Sequence, residues 1–485
     1  MDKKIIFLLF LILCYFSFFL RLTSYPLLMW DESRFAVSAF EMLKSKNFIV
    51  VTYDGLPELW NTKPPLSIWI MAVFMKCFGF SELAVRLPSA LAATITAISV
   101  YRFVYNKLRD ITAAFFSGMV LISSIGFIGM HVARTGDADS LAILFMTLSA
   151  IYFYNAVEKT NGLEIRKHPL YLSCLFFSLA LLTKSSYALF TLPGIFVFIL
   201  ITGKGKIFRN KHIYIATVLA LLPLLSYYFT REYQLPGYLK VIWQNEYGGR
   251  FNQTLENHRH PFNYYFIQLI SKRFFYWFII LLASVPFILS EKNREERNLV
   301  YFVLLLGISI LVIISLSGTK LDWYDGGVFP FFATVCGVAL SKLSRQLQNF
   351  LRIKKDFYSR AFQIIFFLVI FYYPYRKVLS YINIKPGEAA DIKLKYGPFM
   401  KKLYSENYHD STLIYDNAFN SHLLYYLETF AEEGKKVERI DDINQVKPGD
   451  KVVTCGPELN KEIRFRYIVE LIKQDEYCSC YKILK

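Results

Sequence analysis

Long apolar runs recur along most of this chain, and they constrain its fold more than any other feature. A helix that crosses a bilayer needs about 20 mostly apolar residues. Runs that approach this length, with soft boundaries, lie at 5–22, 86–104, 112–130, 140–157, 169–183, 185–202, 213–230, 274–290, 299–316, 327–341 and 361–375. Only 19% of the residues are charged, against about 25% in soluble domains. The sequence therefore predicts an α-helical polytopic membrane protein with about 11 transmembrane helices.

The distribution of charge predicts how these helices are oriented. The net charge is +17, from 55 Lys and Arg against 38 Asp and Glu. In a soluble protein this excess would suggest nucleic-acid binding, but here many basic residues lie in short loops between apolar runs, as the positive-inside rule describes. These loops share one side if the run 66–80 lies along the membrane face. We then expect a cytoplasmic N-terminus, an external C-terminus and no nucleic-acid partner.

The character of the chain changes after residue 375. Patterns typical of short strands and helices alternate there, at 413–415, 420–428, 451–454, 458–470 and 477–484. We expect a membrane domain over 1–375, with an outer loop at 23–85, and a small α/β domain outside the membrane over 376–485. A disulfide from Cys455 to either Cys478 or Cys480 is an open alternative if this domain faces an oxidising compartment.

Several loops on the predicted outer side carry carboxylates. Asp31 and Glu32 directly follow the first apolar run, where a charge is costly unless it is paired, solvated or used. Such a carboxylate can accept a proton or help to hold a divalent metal, and a helix cap is the structural alternative. The loop 131–139 adds Asp137 and Asp139 before a helix. Capping explains one of them well, but two carboxylates together with Arg134 are less easily explained in this way.

Cations and aromatic residues lie in the other outer loops. Lys63 can meet a lipid phosphate as a point charge, or its stem can snorkel to the interface. Arg250 and His258 lie in the stretch 250–265, where Arg and His can bind an anionic headgroup and the aromatic residues suit an interfacial belt. Lys320 and Tyr324 are candidate phosphate contacts or part of an ordinary polar turn. The convergence of these weak signals on one face favours a single site.

The order of these motifs resembles that of a known family. The stretches 31–35, 60–66 and 84–90 resemble the first outer loop of the ArnT-like, protein-mannosyltransferase-related glycosyltransferases of the GT-C superfamily. Ala133-Arg134 with Asp139, the stretch 250–265 and the stretch 317–324 resemble later loops of the same family. The resemblance covers roughly residues 5–340. It implies a transferase that takes a sugar from a polyprenyl-phosphate donor at the outer face of the membrane.

Residue roles follow from the resemblance by position. It implies that Asp31 is the catalytic carboxylate and Asp139 a second essential acid, and that Lys63, Arg250 and Lys320 bind the donor phosphate. Further candidates share these motifs, namely Glu32, Arg86, Arg134, Asp137, His258 and Tyr324. The motif has Thr62 where the family often has Glu, so this chain lacks that acid. A divalent metal cation held by the acidic residues is a further possibility that the residues leave open.

The predicted function is that of an integral-membrane glycosyltransferase of the bacterial inner membrane, and we expect it to invert the anomeric centre. The expected acceptor is lipid A, another glycolipid, a glycan or a protein. A lipid-linked sugar flippase or another transporter is the first alternative, although transporters place charges within their spans and often show repeated halves. The second is a non-catalytic membrane subunit that presents its C-terminal domain to partners.

Overall fold

The computed structural model describes residues 2–59, 61–159, 164–249, 258–289, 291–353, 355–383, 392–406 and 412–485. The chain divides into two compact units. Unit 1 comprises Met1–Arg21, Glu58–Ser67 and Pro88–Asn383, and unit 2 comprises Leu22–Pro57, Ile68–Leu87 and Ile384–Lys485. The sequence assigned the outer loop 23–85 to the membrane domain, whereas most of this loop groups with the C-terminal region in unit 2.

Unit 1 is helical, as the apolar runs predict. Its longer α-helices are Lys3–Phe18, most of Glu82–Leu108, Ile111–Ile122, Asp139–Val157, Lys167–Thr183, Leu192–Ile201, Lys211–Gln234, Phe275–Leu289, Arg294–Leu316, Phe329–Phe350 and Asp356–Ile382. Short α-helices lie at Ile125–Ile128, Ser185–Ala188, Tyr238–Ile242 and Tyr264–Gln268. Shorter 3₁₀ and π turns lie at Leu189–Thr191, Gly205–Arg209, Trp243–Gly249, Leu269–Arg273 and Asp322–Val328. Each predicted span overlaps one of these helices.

The number of helices that can cross a membrane differs from the number of predicted spans. Within the described ranges, 6 helices are long and apolar enough to cross a membrane, or up to 7 if the bent pair Tyr264–Arg273 and Phe275–Pro286 forms one span. The count of about 11 is therefore not confirmed. Helix Ile111–Ile122 shows the reason, because it ends where the hydroxyls of Ser123 and Ser124 bond back to the carbonyls of Met119 and Val120.

Small residues let the helices of unit 1 approach closely. A Cβ atom added at Gly337 would lie 2.2 Å from the backbone nitrogen of Ser117, and one added at Gly194 would lie 2.6 Å from the carbonyl oxygen of Leu305. Helices in membranes associate through such close packing, because lipid supplies no hydrophobic force between them. Helix Phe329–Phe350 can therefore pack directly on helix Ile111–Ile122.

Unit 2 combines part of the predicted outer loop with the C-terminal region. The loop helix Asp31–Ser45 is followed by a hairpin of β1 (Thr52–Tyr53) and β2 (Leu56–Pro57), and then by helix Leu66–Phe78. A five-stranded sheet contains β3 (Thr412–Tyr415), β4 (Val437–Ile440), β5 (Lys451–Cys455), β6 (Val469–Gln474) and β7 (Cys478–Ile483). Its other helices are Tyr396–Ser405, the tail helix Ser421–Glu432, and Pro457–Arg466.

The sheet has the order β4-β3-β5-β7-β6. Strands β4, β3 and β5 are parallel, and β7 is antiparallel to both β5 and β6. The predicted small α/β domain is thus confirmed, including strands β3, β5 and β7. Strand β4 was missed, and β6 begins within the segment 458–470 that was predicted to be helical. Both are edge strands with alternating polar residues, so neither forms a clear apolar run.

Candidate active site

Asp31 is the first residue of the loop helix. The helix begins directly after Trp30, which adopts a left-handed φ of 70° that is uncommon for a residue with a side chain. The indole of Trp30 stacks on the ring of Phe419, with the ring centroids 5.0 Å apart. A carboxylate in the first turn of a helix is stabilised in its charged form by the helix dipole. The helix start therefore accounts for a carboxylate at position 31.

Glu32 is held by a buried arginine. The Arg86 guanidinium donates to both carboxylate oxygens of Glu32, at 2.6 and 2.8 Å, and to backbone carbonyls of residues 22–26. Glu32 also accepts a bond of 2.7 Å from the backbone N–H of Leu28. Both charged side chains are buried. We infer that Glu32 and Arg86 fix the chain before the loop helix, and that Asp31 is the better candidate for chemistry.

The loop helix is also held by the tail helix. The hydroxyls of Ser33 and Ser421 lie 2.6 Å apart. His422 donates from Nδ1 to the Leu27 carbonyl at 2.7 Å, and its Nε2 accepts a long bond of 3.4 Å from the Gly397 N–H. Burial lowers the pKa of His422 to about 4, which keeps the ring neutral. The C-terminal part of the chain therefore fixes the start of the helix that carries Asp31.

In unit 1, the loop 131–139 is held by hydrogen bonds of Arg134 and contains the buried carboxylate of Asp137. The Arg134 guanidinium donates to carbonyls at positions 17, 18 and 20, so it joins this loop to the end of the first helix. Asp137 is buried. Its carboxylate accepts a bond from Thr135, and one of its oxygens lies 3.3 Å from Nδ1 of His131. His131 stacks on Trp323 at a centroid distance of 3.8 Å.

Asp139 forms a buried ion pair that the sequence analysis did not predict. It begins helix Asp139–Val157, and its Oδ1 accepts a bond of 2.7 Å from Nζ of Lys184. Lys184 lies at the break between two helices and is 8% exposed. Its ammonium also lies 4.8 Å from the ring of Tyr187 and 5.0 Å from that of Tyr324. An ionisable residue between two adjacent apolar runs is a signal of function that would have identified Lys184.

Lys184 lines a cleft within unit 1, which we call the donor cleft because Lys63 and Tyr324, predicted to bind the donor phosphate, also line it. The cleft is lined by Lys63, Lys184, Ser186, Tyr187, Phe190, Glu246, Ile314, Ser317, Thr319 and Tyr324. Two ammonium groups and several hydroxyls are suitable partners for a phosphate. Glu246 connects the walls, since it accepts bonds of 2.9 Å from Thr62 and 3.3 Å from Ser186. Lys63 and Tyr324 were predicted for such a site, whereas Lys184, Ser186 and Glu246 were not.

Lys320 and His258, which were also predicted to bind phosphate, are not among the residues that line the donor cleft. Lys320 is buried, and its Nζ donates to the carbonyl of Ser317 at 2.5 Å. Its backbone N–H bonds to the carbonyl of the half-buried His258 at 3.1 Å. Burial lowers the pKa of Lys320, which is the expected direction for an ammonium that leaves water. Lys320 therefore shapes the loop beside the donor cleft, and Arg250 lies outside the described residues.

The oxygens available for a divalent metal differ among the predicted acids. Those of Glu32 are engaged by Arg86, and Asp139 is paired with Lys184. In unit 1, His131 and Asp137 bring a ring nitrogen and a carboxylate oxygen within 3.3 Å, and both are types of side chain that ligate divalent metals. A metal thus remains a prediction, for which His131 and Asp137 are the best supported ligands in this unit.

The fold and the donor cleft define a class of protein: a polytopic membrane protein with a cleft between its helices that is lined by lysines and hydroxyl groups. Comparison with solved structures agrees on the fold. The chain is similar to ArnT from Cupriavidus metallidurans bound to undecaprenyl phosphate, with a TM-score of 0.73 and 16% identity over 99% of this chain and 97% of that one. It is also similar to the Archaeoglobus fulgidus oligosaccharyltransferase, with a TM-score of 0.58 and 10% identity over 92% and 65%.

Comparison of sequences shows a similar relationship. The model of the dolichyl-phosphate-mannose-protein mannosyltransferase family matches residues 62–228. An uncharacterized protein of Aquifex aeolicus is 26% identical over 92% of this chain and 84% of its own length. The undecaprenyl phosphate-alpha-4-amino-4-deoxy-L-arabinose arabinosyl transferase 2 of Proteus mirabilis is 26% identical over 65% of this chain and 56% of its own length. The chain thus spans little more than half of that transferase. The expected resemblance to ArnT-like transferases is thus confirmed as a similarity of sequence and of fold.

Proposed function

We propose that this protein transfers a sugar from an undecaprenyl-phosphate or related polyprenyl-phosphate donor to a lipid, glycan or protein acceptor at the outer face of a bacterial inner membrane. The observation that carries the proposal is the donor cleft, where Lys63 and Lys184 line a space between apolar helices. A donor whose lipid tail lies in the bilayer carries its phosphate next to that tail, and lysines beside apolar helices can bind this phosphate. The names of the relatives support the same donor class.

The proposed reaction is a displacement at the anomeric carbon of the donor sugar. The acceptor hydroxyl or amine gives its proton to Asp31 and attacks that carbon, while the bond from the carbon to the phosphate oxygen breaks. The polyprenyl phosphate leaves with the bonding electrons, and Lys63 and Lys184 stabilise the resulting negative charge. An in-line attack of this kind inverts the anomeric centre.

The orientation of the protein is part of this proposal. The N-terminus is cytoplasmic and the C-terminal domain is outside, as the distribution of basic loops predicts. A disulfide between Cys455 and Cys478 in that domain supports an oxidising compartment, because disulfides persist in such compartments. The donor sugar is then taken at the outer leaflet.

Binding of undecaprenyl phosphate to the purified protein tests the donor cleft. We expect Lys63→Met and Lys184→Met each to weaken this binding at least about tenfold, because a charge-assisted bond to phosphate is lost. Lys206→Met is the matched control, since Lys206 is exposed and does not line the donor cleft. Native mass spectrometry in detergent gives the bound fraction. Equal binding by all three variants would contradict the assignment of the cleft.

Transfer itself is tested with a labelled undecaprenyl-phosphate sugar and an envelope extract from a deletion strain. We expect Asp31→Asn to reduce transfer at least about 100-fold, the usual effect of losing a general base, with donor binding unchanged. Asp54→Asn, at an exposed hairpin position, is the control. Mass spectrometry of labelled lipids, glycans and proteins then identifies the acceptor. Movement of the donor across vesicles without any transfer would instead show a flippase.

A further inference from the structure

A second cleft of unit 1 lies at the N-terminal end of helix Lys3–Phe18, and we call it the basic cleft. It is lined by Lys3 and Lys4 of that helix and by Tyr101, Arg102 and Asn106 near the C-terminal end of helix Glu82–Leu108, among others. Among the described residues, no carboxylate lines it. Three cations therefore share one cleft with an amide and two phenols, Tyr101 and Tyr105, which is a set of donors suited to an anion.

Aromatic rings and neighbouring acids define the electrostatics of the basic cleft. Lys3 Nζ lies 5.4 Å from the centre of the Tyr105 ring, and the Arg102 guanidinium carbon lies 5.9 Å from that of Phe7. The acids nearby in sequence have other contacts. Asp2 caps its own helix through the N–H of Lys4, and Asp110 caps the next helix and contacts Arg345. The positive charge of the cleft is thus available to a ligand.

The buried hydroxyl of Tyr101 is a second, independent observation that indicates a ligand in the basic cleft. Its side chain is 4% exposed and its ring stacks on Phe10 with the centroids 5.2 Å apart. Its hydroxyl is buried and has no hydrogen-bond partner within the described part of the chain. Buried polar groups are almost always paired, since an unpaired one loses its bonds to water. A ligand oxygen in the cleft would give this hydroxyl the acceptor that it lacks.

We propose that the basic cleft binds the phosphate headgroup of an anionic membrane phospholipid. Lipid is favoured over a soluble phosphate because exposed apolar side chains continue from the cleft along the first helix. Ile5, Leu8 and Ile12 are 55%, 57% and 45% exposed, and their spacing places them on one helix face. They give an acyl chain a surface along the bilayer. Basic pockets between transmembrane helices bind phospholipid headgroups in this way.

The experiment measures binding of phosphatidylglycerol and phosphatidylcholine to the full-length protein by native mass spectrometry. We expect the wild type to prefer phosphatidylglycerol, and Lys3→Gln/Lys4→Gln/Arg102→Gln to bind it at least about tenfold less. The triple variant Lys206→Gln/Arg209→Gln/Lys211→Gln removes the same charge from exposed positions of another loop and is expected to bind normally. Tyr101→Phe keeps every charge, and we expect roughly fivefold weaker binding from the loss of one hydrogen bond.

Several results would overturn the proposal. Equal loss of binding in both triple variants would show general attraction between charges without a site. Normal binding by Tyr101→Phe would show that its hydroxyl does not meet the lipid. Displacement of phosphatidylglycerol by an equal concentration of inorganic phosphate would show a site for soluble phosphate. Undecaprenyl phosphate binding, measured on the same samples, confirms that each variant is folded, and it separates this proposal from that of the donor cleft.

Discussion

Arg86 holds Glu32 with two parallel hydrogen bonds of 2.6 and 2.8 Å, and both side chains are at most 3% exposed. The two residues are 54 positions apart in sequence, so this pair ties the start of the loop helix to helix Glu82–Leu108. Its planar, bidentate geometry is one that arginine provides and lysine does not. The carboxylate of Glu32, next to the candidate base Asp31, is therefore engaged in a structural ion pair. This pair fixes the point at which the loop helix, and hence Asp31, begins.

Removal of Arg86 is expected to destabilise the protein. Arg86→Met leaves the Glu32 carboxylate buried without its partner, which costs about 3–5 kcal/mol. Arg86→Lys should recover only part of this loss. Thermal unfolding in detergent gives the comparison, with Asp31→Asn expected to unfold close to the wild type. If Arg86→Met unfolds normally but loses transfer, then Arg86 acts in the reaction and its structural assignment is wrong.

The sequence predicted the elements of this protein better than it predicted how side chains meet. Apolar runs identify helices because helix length and hydropathy are local properties. The pairing of Asp139 with Lys184 joins positions 45 residues apart, and no local pattern encodes such a contact. In the sequence, Lys184 only separates the apolar runs 169–183 and 185–202. Only the three-dimensional structure places Asp139, Tyr187 and Tyr324 around it.

The resemblance to a family supplied residues that composition could not. It selected Lys63, which lines the donor cleft, and it also selected Lys320, whose ammonium bonds to a backbone carbonyl beside it. A motif gives the type and order of residues, but the direction of a long side chain depends on its packing. The edge strands β4 and β6 were missed for a related reason, since a strand that is paired on one side needs little apolar sequence.

Asp139→Asn is expected to strengthen the binding of undecaprenyl phosphate and to lower the stability of the free protein. The substitution removes the carboxylate that neutralises Lys184, so the cleft becomes more positive and should hold undecaprenyl phosphate more tightly. The free protein should lose about 3–5 kcal/mol, because a buried ammonium loses its partner. The shift in melting temperature on adding undecaprenyl phosphate should therefore exceed that of the wild type. A smaller shift would mean that Asp139 itself contacts the ligand or shapes its site.

The cysteines predict a defined pattern of alkylation. Cys455 and Cys478 form a disulfide that joins β5 to β7, and five other cysteines are free. The denatured protein should react at five thiols before reduction and at seven after it. Loss of the disulfide through Cys455→Ser/Cys478→Ser should cost about 3 kcal/mol, whereas Cys480→Ser should leave the bond intact. A crosslinked peptide that contains Cys480 instead of Cys478 would contradict this pairing.

Glu428 is expected to make stability depend on pH in the alkaline range. It lies on the tail helix, where burial, followed by the charge and hydrogen bond of Glu41 and the charge of Asp54, raises its pKa to about 9. An unfolded glutamate has a pKa of about 4.3, so the folded state binds a proton that the unfolded state releases. This stability is fully present below the unfolded pKa and is lost as the pH rises towards 9.

Glu428→Gln keeps a neutral side chain at every pH and should remove this dependence. The wild type should melt at progressively lower temperature from pH 7 to pH 9, whereas the variant should melt at a more constant temperature and exceed the wild type at the alkaline end. Working above pH 7 avoids His422, whose pKa is lowered to about 4. Glu432→Gln, one turn further along the tail helix and partly exposed beside Lys44, serves as the control.

Because the loop helix begins at Asp31 and packs on the tail helix, transfer should fall with stability in the wild type and less in Glu428→Gln. Parallel melting curves for the two proteins would show that Glu428 is ionised in the folded state.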